Sequence, residues 1–330
     1  MSRTRLNRCV YLTAARGGHS GYARAIAHYL GVDIPKYFII AHGDQWTANK
    51  MEEYGDLISI QMPRKLNEPL ILTLHRWPLA FMESLYKIRR KCKVLISCGS
   101  NLSIAPAITA WLKKLRVVNI ESIVRLSSPG RTPSILRPIS EVTLVHWEEQ
   151  TKLLPGAIVV GPIYEPPKYK PSDEGYVLVT AGTHGHKELF NLLVEIGPSN
   201  IVLQTGEIDP MLYKKKRPDW YVIDFTPDLD KLIAKASIVI THFPGMTSAT
   251  AALAYKKPVI MVAAPHLKLS ASIEDGELYA KKIGAIFIKK LSKKNLREAI
   301  EKAPSLEPQK YENGAKKAAE IIKRLLKSNE

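Results

Sequence analysis

VYLTAARGGHSGYARAIAHYLG (10–31) and YVLVTAGTHGHKELFNLLVEIG (176–197) are two versions of one statement. Each runs from an apolar, β-branched strand through a Gly/His turn into an amphipathic helix. A second matched pair follows each of them, VLISCGSNLSIAPAITAWLKKLRVVNI (94–120) and SIVITHFPGMTSATAALAYKKPVIMV (237–262), both reading strand, small-residue turn, Ala-rich helix, strand. Repetition of this order predicts an α/β fold of two Rossmann-like domains with parallel sheets. In such folds ligands bind beyond the carboxyl ends of the strands, where the Gly-rich turns lie, so a cleft where the two domains face each other is the expected place for chemistry.

Working outward, strands are expected at 8–14, 36–41, 56–61, 94–98, 116–121, 141–146 and 157–160, and again at 176–181, 200–204, 220–225, 237–241, 258–263 and 285–288. Between the sets lies GPIYEPPKYKPSDEG (161–175), where Pro162, Pro166, Pro167 and Pro171 preclude a regular helix or central strand. The expected organisation is a first domain over 1–163, a linker over 164–175 and a second domain over 176–330. A terminal helix at 309–327, with Ala315, Ala318, Ala319, Ile322, Leu325 and Leu326 on one stripe, is expected to dock, with the first domain as one possible seat.

The chain has 330 residues, enough for two cores of ordinary size. No apolar run approaches the roughly 18 residues that span a bilayer, and the start passes straight into the first strand without a cleavable signal pattern. The expected location is therefore the cytoplasmic face of a membrane, held peripherally. Cys9, Cys92 and Cys98 lack CxxC spacing and read as reduced small hydrophobes. A net charge of +17 attracts nucleic acid, anionic lipid or phosphorylated substrates without choosing among them. Between Met62 and Lys93, eight basic side chains (Arg64, Lys65, Arg76, Lys87, Arg89, Arg90, Lys91, Lys93) stand against Glu68 and Glu83. The same segment carries Trp77, Leu79, Phe81, Met82, Leu85 and Tyr86. Basic and apolar groups together fit a membrane surface better than a duplex, with Arg76, Trp77, Phe81, Arg89 and Arg90 as contacts. On a helix from Leu79, the residues Leu79, Met82, Leu85 and Tyr86 share one face. That face either covers the core or docks at an interface.

The turns hold the chemistry. Gly17, Gly18 and His19 open a helix, so backbone N–H groups and the positive helix end face any anion there. His42-Gly43-Asp44 and Asn119–Ser122 are further polar clusters of open role. In the second half, Gly182 and Thr183 occupy the first turn. Gly245, Met246, Thr247 and Ser248 stand at a later helix start, where N–H groups and hydroxyls suit a diphosphate, while Phe225 follows the strand WYVID either as core or as lining of a base pocket. There is no Walker motif, no G-x-G-x-x-G, no G-x-S-x-G and no zinc-ligand spacing. A metal-free reaction on a phosphorylated substrate, with no cofactor, is the economical expectation.

On these residues the chain resembles a known family. ISCGSNLSIAPAI (96–108), NIESIVR (119–125), VHWEEQ (145–150), the closing Gly161-Pro162 and the GGH at 17–19 resemble the membrane-anchored subunit of the eukaryotic enzyme that adds the second N-acetylglucosamine to the dolichol-linked chitobiose core. VLVTAGTHGH (177–186), FTPDLDKLI (225–233) and ITHFPGMTS (240–248) resemble its catalytic subunit. The chain thus looks like both subunits fused, as in archaeal one-chain transferases, in the order of the bacterial lipid II transferase MurG. The resemblance implies a GT-B glycosyltransferase that inverts at the anomeric carbon without a metal, using UDP-N-acetylglucosamine and a dolichyl- or polyprenyl-diphosphate-linked sugar at an anionic membrane surface.

By the same resemblance His19 is the candidate base, with Glu121 its rival. Gly17, Gly18 and Asn101 face acceptor phosphates. Gly182, Thr183, Phe225, His242, Gly245, Met246, Thr247 and Ser248 bind the donor. The chain departs from the family at Ala251, where a ribose-holding glutamate is usual, and at Glu274-Asp275-Gly276-Glu277, where a donor-sugar motif is usual. No N-terminal transmembrane helix matches that of the anchored subunit, so 62–93 would supply the lipid contact. Three rivals remain: an exopolysaccharide transferase with another donor such as UDP-glucuronate, a sugar-nucleotide epimerase on the same scaffold, and a basic nucleic-acid-binding protein. No nucleic-acid partner is expected, since the basic cluster lacks a stacked-aromatic platform.

Overall fold

A computed structural model describes residues 8–65, 68–69, 71–264 and 270–328. The chain divides into two compact units, Met1–Glu165 with Glu312–Glu330, and Pro166–Tyr311. All thirteen expected strand segments are strands. The first unit holds β1 (Cys9–Thr13), β2 (Lys36–Ala41), β3 (Asp56–Ile60), β4 (Cys92–Ser97), β5 (Arg116–Ile120), β6 (Val142–Val145) and β7 (Ile158–Val159). The second holds β8 (Val177–Thr180), β9 (Ile201–Gln204), β10 (Tyr221–Ile223), β11 (Ile238–Phe243), β12 (Val259–Ala263) and β13 (Ile286–Ile288).

The sheet orders are β3-β2-β1-β4-β5-β6-β7 and β10-β9-β8-β11-β12-β13, and every pairing is parallel. Both orders reverse beside their first strand, which is the Rossmann arrangement drawn twice. Tyr11 pairs with Tyr37 on one side and Leu95 on the other, while Val179 pairs with Leu203 and Ile240. Strands sandwiched by helices are covered on both faces, which is why their sequences are nearly continuous apolar runs. Tyr11, Ile39, Leu95 and Val117 anchor one core, and Val179, Leu203, Ile240 and Ile260 the other, each contributing roughly 1.5–3 kcal/mol of burial.

Three features differ from the sequence reading. First, the terminal helix is Gly314–Lys327, capped by the Asn313 side chain on the Ala315 N–H. It packs on the helix Gly18–Leu30 of the first unit, where Lys323 Nζ donates to the Tyr29 carbonyl at 2.8 Å and Arg116 to that of Leu325 at 2.8 Å. The second unit therefore ends at Tyr311 rather than at 330. Its stretch from Pro166 is no free linker: Lys168 N–H donates to the Tyr255 hydroxyl, and the N–H groups of Ser172 and Glu174 to the carbonyls of Ala234 and Lys235.

Second, Cys9 and Cys92 form a disulfide, with Cα atoms 4.6 Å apart. Spacing along the chain says nothing of this pairing. It follows from β1 lying beside β4 with these two residues opposite each other. Cys98 is free and buried.

Third, the helix Arg76–Lys87 buries its small residues, Ala80 and Ser84, and packs beside the helix Ile104–Leu112. Leu79, Met82, Leu85 and Tyr86 point to solvent, with Met82 64% and Tyr86 76% exposed, and Ile71, Leu72 and Leu74 just before it are exposed too. Small side chains allow close helix approach. Periodicity identified the apolar face, and the structure leaves that face uncovered.

Candidate functional site

Because every strand of a sheet runs the same way, the turns that follow them gather at one edge. The reversal of strand order, between β1 and β4 and between β8 and β11, opens a crevice there. The residues singled out in the sequence stand largely on these four turns.

In the first unit, Gly17 has φ +91°, a left-handed geometry that favours glycine, and no side chain caps the helix that starts at Gly18. That helix has no acid in its first turn, so its N–H groups are disposed toward an anion. His19 Nδ1 lies 2.8 Å from the carbonyl oxygen of Cys98, on the turn after β4. A carbonyl only accepts, so Nδ1 carries the proton and Nε2 keeps its lone pair. Burial lowers the pKa of His19, partly offset by the Cys98 carbonyl. The ring is therefore neutral near pH 7. The approach to the β4 turn is close: a Cβ at Gly99 would come 2.7 Å from His19 Nδ1.

Glu121 is 1% exposed. One carboxylate oxygen accepts from the Ser122 N–H at 2.6 Å and the other from the Gly130 N–H at 2.8 Å, so this carboxylate ties the loop after β5. The same loop is held by residues the sequence reading left without a role. The Tyr22 hydroxyl accepts from the Ile123 N–H at 2.9 Å. His146 Nε2 donates to the Glu121 carbonyl at 2.8 Å while its Nδ1 accepts from the Ile163 N–H at 3.1 Å. Trp147 Nε1 donates to the Ile123 carbonyl, and Gln150 spans both sides, donating to the Ser122 and Arg125 carbonyls and accepting from the N–H groups of His146 and Trp147. Thus the His, Trp and Gln of VHWEEQ are a brace. Tyr22 links that brace to His19, its ring 6.5 Å from the imidazole and 5.3 Å from that of His146. The only sequence signal was the motif itself.

Asn101 does not open toward a ligand: its Nδ2 donates to the Arg64 carbonyl at 2.7 Å, and its Oδ1 is buried. The His42 cluster is absorbed similarly. Asp44 caps the helix Gln45–Met51, and His42 Nε2 lies 2.8 Å from Glu83, which also accepts from the Gln61 N–H. Glu83 thereby fastens the Arg76–Lys87 helix to the ends of β2 and β3. Of the expected membrane contacts, Arg89 and Arg90 are exposed. Arg76, paired with Glu68 at 3.0 Å, and Trp77 and Phe81 are partly covered.

In the second unit, Gly182 has φ +68°. The His242 ring lies between two glycines, 2.8 Å from where a Cβ on Gly182 would sit and 3.0 Å from one on Gly245. The turns after β8 and β11 are therefore in contact through this imidazole. Thr183 is partly exposed, and its carbonyl accepts from the Glu207 N–H at 2.8 Å. Met246 and Thr247 are partly exposed at the start of the short helix Thr247–Ala249. Ser248 departs from expectation: it is buried and its hydroxyl donates to the Gly245 carbonyl at 2.9 Å. Phe225, 43% exposed, follows β10, two strands from β8 and so about 10 Å to the side. Ala251 is fully buried. In the 274–277 segment, Asp275 forms a capping box with Ser272, Glu277 pairs with Lys289 at 2.9 Å and Glu274 is exposed. Among the described residues, no three His, Cys, Asp or Glu side chains are grouped as metal ligands, and no helix is long and apolar enough to cross a membrane.

Comparison with known proteins adds to this geometry. Residues 176–328 match the glycosyltransferase family 28 C-terminal domain. Over 181 residues the chain is 23% identical to UDP-N-acetylglucosamine transferase subunit ALG14 of Rattus norvegicus, a match covering 46% of this chain and 81% of that protein. The Mus musculus subunit matches at 23% over 177 residues, with the same two coverages. Among solved structures, Acinetobacter baumannii MurG superposes with a TM-score of 0.66 at 15% identity, covering 96% of this chain and 99% of its own. UDP-GlcNAc 2-epimerase from Neisseria meningitidis, bound to UDP-GlcNAc, gives 0.64 at 13%, with the same coverages. The fold is GT-B, as in these solved structures, and the second half of the chain is similar to the glycosyltransferase family 28 C-terminal domain.

Proposed function

We propose that this chain, a GT-B protein with a family 28 C-terminal domain, moves N-acetylglucosamine from UDP-N-acetylglucosamine onto a lipid-diphosphate-linked N-acetylglucosamine, forming β-1,4 chitobiose with inversion and without a metal. The observation that carries the reading is the union, in one chain, of a family 28 domain and likeness to a UDP-N-acetylglucosamine transferase subunit.

His19 Nε2 takes the proton of the acceptor hydroxyl as that oxygen attacks the anomeric carbon from the face opposite the leaving group. The bond from anomeric carbon to diphosphate oxygen breaks, and UDP departs with the electron pair. The acceptor diphosphate lies against the N–H groups at Gly17 and Gly18. The donor diphosphate lies against the backbone of Gly182, Thr183, Gly245 and Met246 and the Thr247 hydroxyl, with Phe225 beside the base. His242 supports both donor turns. Glu121, with both oxygens on backbone N–H groups, positions its loop, which favours His19 as the base.

The uncovered face of Leu79, Met82, Leu85 and Tyr86, with Ile71, Leu72 and Leu74, lies on an anionic bilayer at its cytoplasmic side, Arg89 and Arg90 supplying charge. Vesicles containing anionic lipid should sediment the wild-type chain, and a Met82→Asp, Tyr86→Asp variant should stay in the supernatant. Equal sedimentation of both would remove this face from the account.

The reaction is tested by incubating the protein with UDP-N-acetylglucosamine and phytanyl-diphosphate N-acetylglucosamine, with and without EDTA, and weighing the product by mass spectrometry. A gain of one N-acetylhexosamine that survives EDTA is expected. UDP-glucuronate in competition tests the exopolysaccharide alternative, and conversion of the nucleotide sugar without acceptor would replace transfer by epimerisation.

A further inference from the structure

Two buried hydroxyls under the β1 and β4 turns have no part in the chemistry above. Thr13 is 1% exposed and Ser103 is fully buried. The Cys98 N–H donates to Thr13 Oγ1 at 3.0 Å, Thr13 Oγ1 and Ser103 Oγ are 2.6 Å apart, and the Ser103 hydroxyl donates to the Gly99 carbonyl. The proton positions follow from the acceptors. The Gly99 carbonyl can only accept, so the Ser103 proton points to it; the Thr13 proton has the Ile96 carbonyl at 3.5 Å as its other acceptor, and the 2.6 Å contact with Ser103 is the shorter and stronger of the two. The result is a one-way chain: Cys98 N–H to Thr13 O–H to Ser103 O–H to the Gly99 carbonyl.

We infer that Thr13 and Ser103 are positioning residues for His19: their hydrogen-bond chain grips the backbone on both sides of the Cys98 carbonyl and so dictates which imidazole nitrogen carries the proton. The grip is needed because of Gly99. With φ +88° and no Cβ, this residue gives the Cys98–Gly99 peptide little resistance to rotation. A rotated peptide would present its N–H to Nδ1, the proton would move to Nε2, and the lone pair would face the backbone. Held as it is, the carbonyl requires a proton on Nδ1 and leaves Nε2 basic. Facing His19 are Tyr22 on its own helix and Cys98 on the β4 turn, both pushed up by burial, and Glu121 beyond Tyr22. None of these side chains shifts His19, which is lowered by burial and raised by the hydrogen bond to the Cys98 carbonyl.

The inference rests on the reading of His19 as base, yet its first test needs no turnover. In the ligand-free full chain labelled with 15N-histidine, NMR above the His19 pKa should show a protonated Nδ1 and a bare Nε2. Thr13→Val and Ser103→Ala should each give mixed tautomers and a still lower His19 pKa, because the acceptor that favours the charged ring is lost. Thr13→Ser should restore both. With substrate, the acid limb of kcat/KM should move to lower pH in the two variants while KM for the nucleotide sugar stays put. A proton on Nε2 in the wild type overturns the inference. So does a wild-type tautomer and pKa in folded Ser103→Ala, the variant to use should Thr13→Val not fold. Tautomer shifts as expected in a protein with no transfer activity would uphold the positioning role and remove the transferase reading. Unchanged tautomers alongside measurable transfer would do the reverse.

Discussion

The two units share one strand order but use their first turns differently. After β1 the chain spells Gly-Gly-His, and the histidine is held through Nδ1 by the neighbouring turn, which leaves the proton off Nε2. After β8 it spells Gly-Thr. There the imidazole comes instead from the end of the neighbouring strand β11, His242 lying between Gly182 and Gly245. On the proposed reading one unit presents a base, and the other presents backbone with a histidine packed between its glycines. In the proposed function the shared scaffold sets where ligands sit, while one residue's placement across the β1/β4 or β8/β11 junction decides whether a site moves a proton or holds a diphosphate.

The largest expected asymmetry is in stability. The Cys9–Cys92 bridge closes a separation of 83 residues, for which chain entropy gives about 4.5 kcal/mol. No second bridge exists among the described residues. Cys92→Ser should lower the denaturation midpoint of the first unit, followed by hydrogen exchange, and leave that of the second. A uniform shift in both would erase the contrast.

Acid should act on the same side. Burial pushes His146 down to about 4, below its ordinary value near 6.5. The unfolded chain then binds the extra proton between these pH values, so the contribution is complete above 6.5 and is lost as pH falls toward 4. The loss amounts to about 3 kcal/mol. Exchange protection in the brace around residues 119–165 should fall over that window and flatten in His146→Gln; an unchanged slope in the variant would reassign the acid sensitivity.

On the proposed donor side the expected effect is smaller. Gly182→Ala forces a Cβ against His242 at a left-handed φ, costing about 1–2 kcal/mol and weakening UDP binding by roughly tenfold. Calorimetry that finds the wild-type Kd would show that His242 props nothing.

Much of this was legible in the residues. The strands announced themselves as short β-branched runs, and the glycines marked the turns at the carboxyl edge of each sheet, where several adopt positive φ. Three things were not. A period of 3.6 says that Leu79, Met82 and Tyr86 share a face. It is silent on whether that face is covered, and here the neighbouring helix chose Ala80 and Ser84. Cys9 and Cys92 become partners only once strand order is known. Ser248 could have offered its hydroxyl outward, but its turn bends that hydroxyl back to Gly245. The brace of Tyr22, His146 and Gln150 was hidden for the same reason as the disulfide: Tyr22 meets Ile123 across 101 residues of chain, and no local pattern encodes such a contact.

The most direct test of the account is His19→Ala, compared with wild type in the transfer assay and in UDP binding on the same preparations. Turnover should fall by about 10²–10⁴-fold, the range for loss of a general base, with UDP affinity and the unfolding midpoint unchanged. Near-normal turnover would contradict the division of labour between the two units.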